Sequence, residues 1–211
     1  MRSSKKIAQY LLQSKAIKLD TANPFIWASG WHSPIYCDNR KTLSFPEIRT
    51  FIRDSFVKEI NISFTNPDII AGVATGAIAQ GALVAEKMGL PFIYVRSASK
   101  SHGLENLIEG VVEAGQKVVV IEDLISTGGS SLKAVNVLRN AGCEIIGMAA
   151  IFSYGFPQAV KNFKDAGCKL ITLSNYSILL DIALESGYIS EEEANLLAEW
   201  RTDPENWKKL K

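Results

Sequence analysis

From about residue 68 onward, short apolar runs alternate with segments spaced for helices. Asp68-Ile69-Ile70-Ala71-Gly72-Val73, Pro91-Phe92-Ile93-Tyr94-Val95, Lys117-Val118-Val119-Val120-Ile121, Glu144 to Phe152 and Lys169-Leu170-Ile171-Thr172-Leu173 read as five strands. Between them, helices are expected from about Gly76 to Met88, Ser130 to Asn140 with Gly142 beyond the end, and Pro157 to Ala166. Strands that are apolar throughout, rather than at every second position, belong in a sheet covered on both faces. Their alternation with helices predicts an α/β fold with a mainly parallel sheet flanked by helices.

The flanks follow other rules. Ile7, Leu11 and Leu12 suit one face of an N-terminal amphipathic helix, and Gln9 and Gln13 interrupt the apolar run that a signal segment needs. Residues 1 to about 65 are otherwise mixed, with the aromatic stretch Pro24-Phe25-Ile26-Trp27 and the turn-rich Ser29-Gly30-Trp31-His32-Ser33-Pro34. From Ser177 to the end, two helices are expected. Ser190 caps the second, and Glu193 stands at the capping-box position. These divisions describe one unit with three parts: about 1–65, about 66–175 as the core, and about 176–211.

Composition narrows the function. At 211 residues and 47% hydrophobic, the chain supports one sizeable core. Its formal net charge of +1 lacks the excess of Lys and Arg that a globally basic nucleic-acid binder carries, so any anion site must be local. The longest near-apolar stretch, Ile145 to Phe152, is too short to span a bilayer. Cys37, Cys143 and Cys168 have no metal-ligand spacing and read as reduced thiols of a cytoplasmic protein.

The main chemical signal is Val118-Val119-Val120-Ile121-Glu122-Asp123-Leu124-Ile125-Ser126-Thr127-Gly128-Gly129-Ser130-Ser131. A hydrophobic strand delivers two carboxylates, then a loop of hydroxyls and glycines, then a helix N-terminus. Hydroxyls of Ser126, Thr127 and Ser130 can donate to phosphate oxygens. Gly128 and Gly129 let backbone amides approach an anion, and the helix dipole favours negative charge there. Carboxylates beside a phosphate repel it unless they serve another group, and vicinal ribose hydroxyls are such a group. The combination fits a ribose 5-phosphate better than it fits a capped turn beside a solvated acidic pair. The spacings of the P-loop and of the dinucleotide fingerprint are absent. A second constellation, Arg96, Lys100 and His102, places three potential cations within seven aperiodic residues, a density suited to closing over a diphosphate.

The strand-loop-helix segment resembles the 5-phosphoribosyl diphosphate (PRPP) signature of type I phosphoribosyltransferases. The Arg96-Lys100-His102-Gly103 loop followed by Ile108-Glu109-Gly110, and the segment Ser29-Gly30 with Ser33-Pro34 and Tyr36, are similar to orotate phosphoribosyltransferases. That resemblance spans nearly the whole chain, including Ala74-Thr75-Gly76 at the place of the diphosphate loop. It implies a type I phosphoribosyltransferase fold with a small hood from the N-terminal region, transfer of ribose 5-phosphate from PRPP to orotate, and Mg²⁺ bound through PRPP rather than by protein side chains. It also implies a homodimer in which the Arg96–His102 loop reaches the neighbouring site.

By the same resemblance, Lys100, His102 and Asp123 are catalytic. Arg96, Lys100, His102 and the run Glu122, Asp123, Leu124, Ile125, Ser126, Thr127, Gly128, Gly129 and Ser130 bind PRPP, while Ser126, Tyr36 and Cys37 face orotate. Some members carry a lysine at the position of Ala28, a Tyr-Lys pair near Thr75, a lysine at Ser97 and an orotate-binding arginine near Tyr154; this chain has none of them. Arg40 is a further cation, available to a substrate carboxylate or to a salt bridge with Asp38 or Glu47. His32 suits a turn hydrogen bond, and Trp27 and Trp31 suit core or subunit contacts. Two alternatives share the pattern: a purine-type phosphoribosyltransferase, and a PRPP-sensing regulator on the same fold.

Overall fold

The structure, a computed structural model, describes residues 2–27, 30–96 and 107–207. The described residues form α1 (Arg2–Gln13), β1 (Ile17–Leu19), β2 (Phe25–Ile26), β3 (His32–Ser33), β4 (Ile35–Cys37), a 3-10 turn (Asn39–Ser44) and α2 (Pro46–Ser63). The core follows as β5 (Ile69–Val73), α3 (Ile78–Met88), β6 (Phe92–Val95), β7 (Ile108–Glu109), β8 (Lys117–Ile125), α4 (Gly129–Asn140), β9 (Glu144–Ser153), α5 (Pro157–Asp165) and β10 (Leu170–Asn175). Helices α6 (Tyr176–Glu185) and α7 (Glu191–Thr202) follow.

The sheet runs β10-β9-β8-β5-β6-β7, parallel throughout except for the antiparallel edge pair β6–β7. Its central strands are apolar at successive positions because both faces are covered. Ile70, Val119, Ile121, Ala149 and Ile151 face the side that packs α1, α2, α3 and α6. Ile69, Ala71, Val118, Val120, Met148 and Ala150 face α4 and α5. The α/β class expected from the sequence is therefore the fold observed.

Three features depart from the sequence reading. Helix α2, 18 residues long, lies within the stretch read only as mixed. Strand β8 continues four residues past Ile121, so Glu122 and Asp123 sit in the strand and not in a loop after it. The run Ile108-Glu109 is a strand, pairing Tyr94 with Glu109 and Val95 with Ile108. Both bonds of the capping box at Ser190 and Glu193 are present, as expected.

The N-terminal region supplies two small antiparallel pairs, β1 with β4 and β2 with β3. An aromatic cluster fastens them to the sheet. Trp200 of α7, fully buried, donates from Nε1 to the His32 carbonyl at 3.3 Å and meets Trp27 edge-on at 5.6 Å between centroids. Trp27 in turn donates from Nε1 to the Ile35 carbonyl at 3.0 Å. Trp27 thus packs within the cluster and stacks on the half-buried Trp31 at 6.3 Å between centroids, while His32 contributes a backbone carbonyl. No helix among the described residues is long and apolar enough to cross a membrane.

Candidate active site at the reversal of strand order

In an open α/β sheet, ligands collect beyond the carboxyl ends of the strands, where successive connections leave in opposite directions. Here that point lies between β5 and β8, because the chain builds outward to β6 and β7 and then crosses back. The residues after β5 and the tip of β8 enclose a cleft of about 700 Å³. Ala74, Thr75 and Gly76 form one wall, Leu124, Ser126, Thr127, Gly128 and Ser130 another, and Arg96 and Asp123 also line it. The Ala74–Thr75 peptide is cis. Gly76 lies so close to Asp123 that a Cβ built there would overlap its carboxyl group.

The loop after β8 presents donors. Helix α4 begins at Gly129 with Gly128 as its N-cap, at φ 81°, and no side chain caps it. Among the described residues, the backbone amides of Ser126, Thr127 and Gly128 donate to no protein acceptor. The first amides of α4 have no partner within the helix by its geometry. Successive unused N–H groups at a helix N-terminus make an anion site. The loop is held from behind: Asn162 of α5 donates from Nδ2 to the Thr127 carbonyl at 2.9 Å, and Phe163 fills the space beside Gly128.

The two carboxylates, adjacent in sequence, differ in environment. Glu122 is buried; its Oε2 accepts from Ser131 Oγ at 2.8 Å and its Oε1 from the Asp123 amide at 2.9 Å. Burial, and then the neighbouring Asp123 charge, push Glu122 up to about 8. It therefore ties the tip of β8 to the first turn of α4. Asp123 is half-buried and fronts the cleft beside Gly76, its carbonyl accepting from Asn39 Nδ2 at 2.6 Å.

The other expected residues divide. Arg96 lines the cleft, with its amide on the Leu107 carbonyl at 2.8 Å and its guanidinium 3.4 Å from Glu109. Ile125 departs from expectation: its side chain is fully buried in the core, and its carbonyl accepts from the Tyr154 amide at 3.1 Å. Gly129 does not line the cleft but opens α4. Tyr36 and Cys37 on β4 do not line it either. Tyr36 is exposed against Phe25, and Cys37 approaches Asp123 through Asn39, its thiol 3.4 Å from Asn39 Oδ1. Arg40 pairs with Asp38 at 2.7 Å, the salt-bridge alternative, and holds that carboxyl below its usual range. Lys100 and His102 lie outside the described residues, as do Ala28, Ser29 and Ser97.

Sequence reasoning missed the supporting roles of Asn39 and Asn162, which hold the cleft without lining it, and of Ser131, which lines it and anchors Glu122, together with two residues farther from it. Arg201 of α7 reaches the Gly155 carbonyl at 3.1 Å and Ser177 Oγ at 3.0 Å. Tyr154, noted only for the arginine it is not, donates from its amide to the Ile125 carbonyl at 3.1 Å and packs its ring on Trp27 at 5.2 Å between centroids.

The phosphoribosyl transferase domain family matches residues 47–186. An orotate phosphoribosyltransferase of Phocaeicola vulgatus is 61% identical over 203 residues, covering 96% of each chain. Among solved structures, the orotate phosphoribosyltransferase of Aeropyrum pernix superposes with a TM-score of 0.75 at 26% identity, covering 87% of this chain and 99% of that one. The UMP synthase of Leishmania donovani superposes with a TM-score of 0.79 at 26% identity over 94% of this chain, which spans 43% of that longer one. The chain belongs to the phosphoribosyl transferase family, the class that its sheet order and cleft define. Within that class its branch is the orotate phosphoribosyltransferases.

Two outcomes follow from the geometry. Gly76→Ala should displace Asp123 and lower kcat/KM for PRPP roughly 100-fold, the scale of a 1 Å misplacement, with the circular-dichroism spectrum unchanged; wild-type kinetics would mean that the close approach is immaterial. Glu122 holds its proton to about pH 8 when folded, against an ordinary value of 4.5, so the folded state binds more protons across that window and stability falls as pH rises through it. Glu122→Gln cannot ionise. Its Tm should therefore vary less over the same pH range than that of the wild type, and an equally steep decline in the variant would show that Glu122 is not the source.

Proposed function

We propose that this chain transfers ribose 5-phosphate from PRPP to orotate, giving orotidine 5′-monophosphate and diphosphate, a step of pyrimidine (UMP) biosynthesis. The observation that carries the proposal is the joining, in one cleft, of an acceptor carboxylate at Asp123 with unused amides at Ser126, Thr127 and Gly128. Asp123 accepts hydrogen bonds from the ribose hydroxyls, and the loop Ser126 to Ser130 binds the 5′-phosphate. Glu122 contributes by holding strand to helix. The wall Ala74, Thr75 and Gly76, with Arg96, Lys100 and His102, meets the diphosphate. The segment carrying Tyr36 and Cys37, a hood joined to the core through Asn39, covers the base.

The C1–O bond breaks with its electron pair leaving on diphosphate. A ring nitrogen of orotate, its proton lost, bonds to C1 through a centre of oxocarbenium character. Positioning and charge neutralisation are the protein's contribution. Mg²⁺ fits this donor set as a hard cation that would be bound mainly by substrate oxygens and water, with Asp123 the cleft-facing carboxylate beside them. When bound it neutralises the departing diphosphate. The working form is a homodimer in the cytoplasm, one catalytic unit per chain, with the Arg96–His102 segment serving the neighbouring site.

With PRPP and Mg²⁺, the protein should consume orotate and release one diphosphate per orotate lost, followed as the fall in orotate absorbance. Consumption of adenine or xanthine with orotate untouched would replace this reading by a purine one. Diphosphate release from no base, with salt-dependent binding to duplex nucleic acid, would replace it by a regulator.

A further inference from the structure

The 3-10 turn Asn39–Ser44 joins the hood strand β4 to α2, and hydrogen bonds tie it toward both walls of the cleft. On one side Asn39, a buried side chain, donates from Nδ2 to the Asp123 carbonyl at 2.6 Å. On the other, Arg49 of α2 donates to the Leu43 carbonyl at 3.1 Å. The Arg49 carbonyl in turn accepts from Gln80 Nε2 at 3.1 Å, in the first turn of α3, the helix that follows the Ala74–Gly76 wall. Thr42, also buried, tightens the turn by donating from Oγ1 to the Asn39 carbonyl at 2.6 Å. Asn39 reaches back into the hood as well, where its Oδ1 accepts from the Cys37 thiol of β4 at 3.4 Å. A carbonyl only accepts, so the nitrogen end of the amide must face Asp123 and its oxygen end the thiol. One buried amide thus touches both the hood and the acidic strand tip.

The bond lands where β8 has outrun a neighbour. Its register with β5 ends at Gly72 and Ile121, so the tip that carries Asp123 extends past the last β5 partner. Asn39 does not line the cleft, and its effect on a ligand therefore passes through the Asp123 backbone. Being neutral, it steers the carboxylate without balancing the charge. We propose that Asn39 is a positioning residue that carries the seating of the hood to the Asp123 carboxylate, so that an acceptor base and a ribose 5-phosphate strengthen each other's binding. This rests on the reading, given above, of the Tyr36–Cys37 segment as the cover of the base. A hood seated on a base holds Asn39 against the strand tip and keeps the carboxylate turned to the ribose hydroxyls. A ribose already bonded to Asp123 holds the same tip in place for the hood. Two ligands that favour one arrangement raise each other's affinity by the same factor.

Ribose 5-phosphate lacks a leaving group, so it can be bound together with orotate without turnover, and calorimetry reads its Kd with and without the base. Wild-type consumption of orotate with PRPP is measured first; its absence would refute the proposed reaction and this inference with it. With the wild type active, saturating orotate should lower the Kd of ribose 5-phosphate roughly 5-fold or more, the low end of coupling between two sites. Asn39→Ala should bring that factor to about one, because the link between the sites is gone. Its kcat should fall roughly 10-fold as the carboxylate loses its aim. Asn39→Ser, whose hydroxyl stops short of the carbonyl, should behave alike and serves if the alanine variant does not fold. A wild-type factor of one would overturn the proposal with the reaction left standing, and no variant is needed to see it. A folded variant that keeps the wild-type factor would overturn it too, and a lowered Tm beside that intact coupling would make Asn39 a support of the fold only.

Discussion

Asp123 can face a ligand only because Gly76 has no side chain. The chain leaves β5 and turns directly over the tip of β8, and any β-carbon at that turn would occupy the space of the carboxyl group. This approach fixes the wall of the cleft against the acidic strand tip, and it does so at the reversal of strand order, where the sheet opens. Everything proposed for the ligand depends on that contact. The loop to α4 is then the only further piece needed to bring amides alongside an acceptor.

The charge problem posed by two adjacent carboxylates beside a phosphate is resolved by burial. Glu122, enclosed and bonded to Ser131, retains its proton well into the neutral range, so the pair does not present two negative charges to an anionic substrate. One acidic residue acts on structure and the other is left for the ligand. The near-neutral chain as a whole supplies no long-range attraction, which leaves local amides and the Arg96 region to draw the anion.

The sheet was readable because parallel strands buried on both faces become uninterrupted apolar runs, and the phosphate loop because its residues are contiguous. Helix α2 was missed, although Ile48, Ile52, Phe56 and Ile60 repeat every four residues and all are buried; the flanking turn-rich segments hid that signal. The supports of the cleft were not legible. Asn39 is 84 residues from Asp123, and Asn162 is 35 from Thr127, so no local pattern ties them. The unequal roles of Glu122 and Asp123 follow from strand alternation once β8 is known to extend to Ile125, but a strand ending at Ile121 concealed it.

The central claim is that the amides at the start of α4 receive the phosphate of a ribose 5-phosphate. Amide-resolved NMR during titration with ribose 5-phosphate reads this contact without turnover. The account predicts saturable shifts of the Ser126, Thr127, Gly128, Gly129 and Ser130 amides, accompanied by Gly76. Shifts confined to other parts of the chain, with those amides unmoved at saturation, would contradict it.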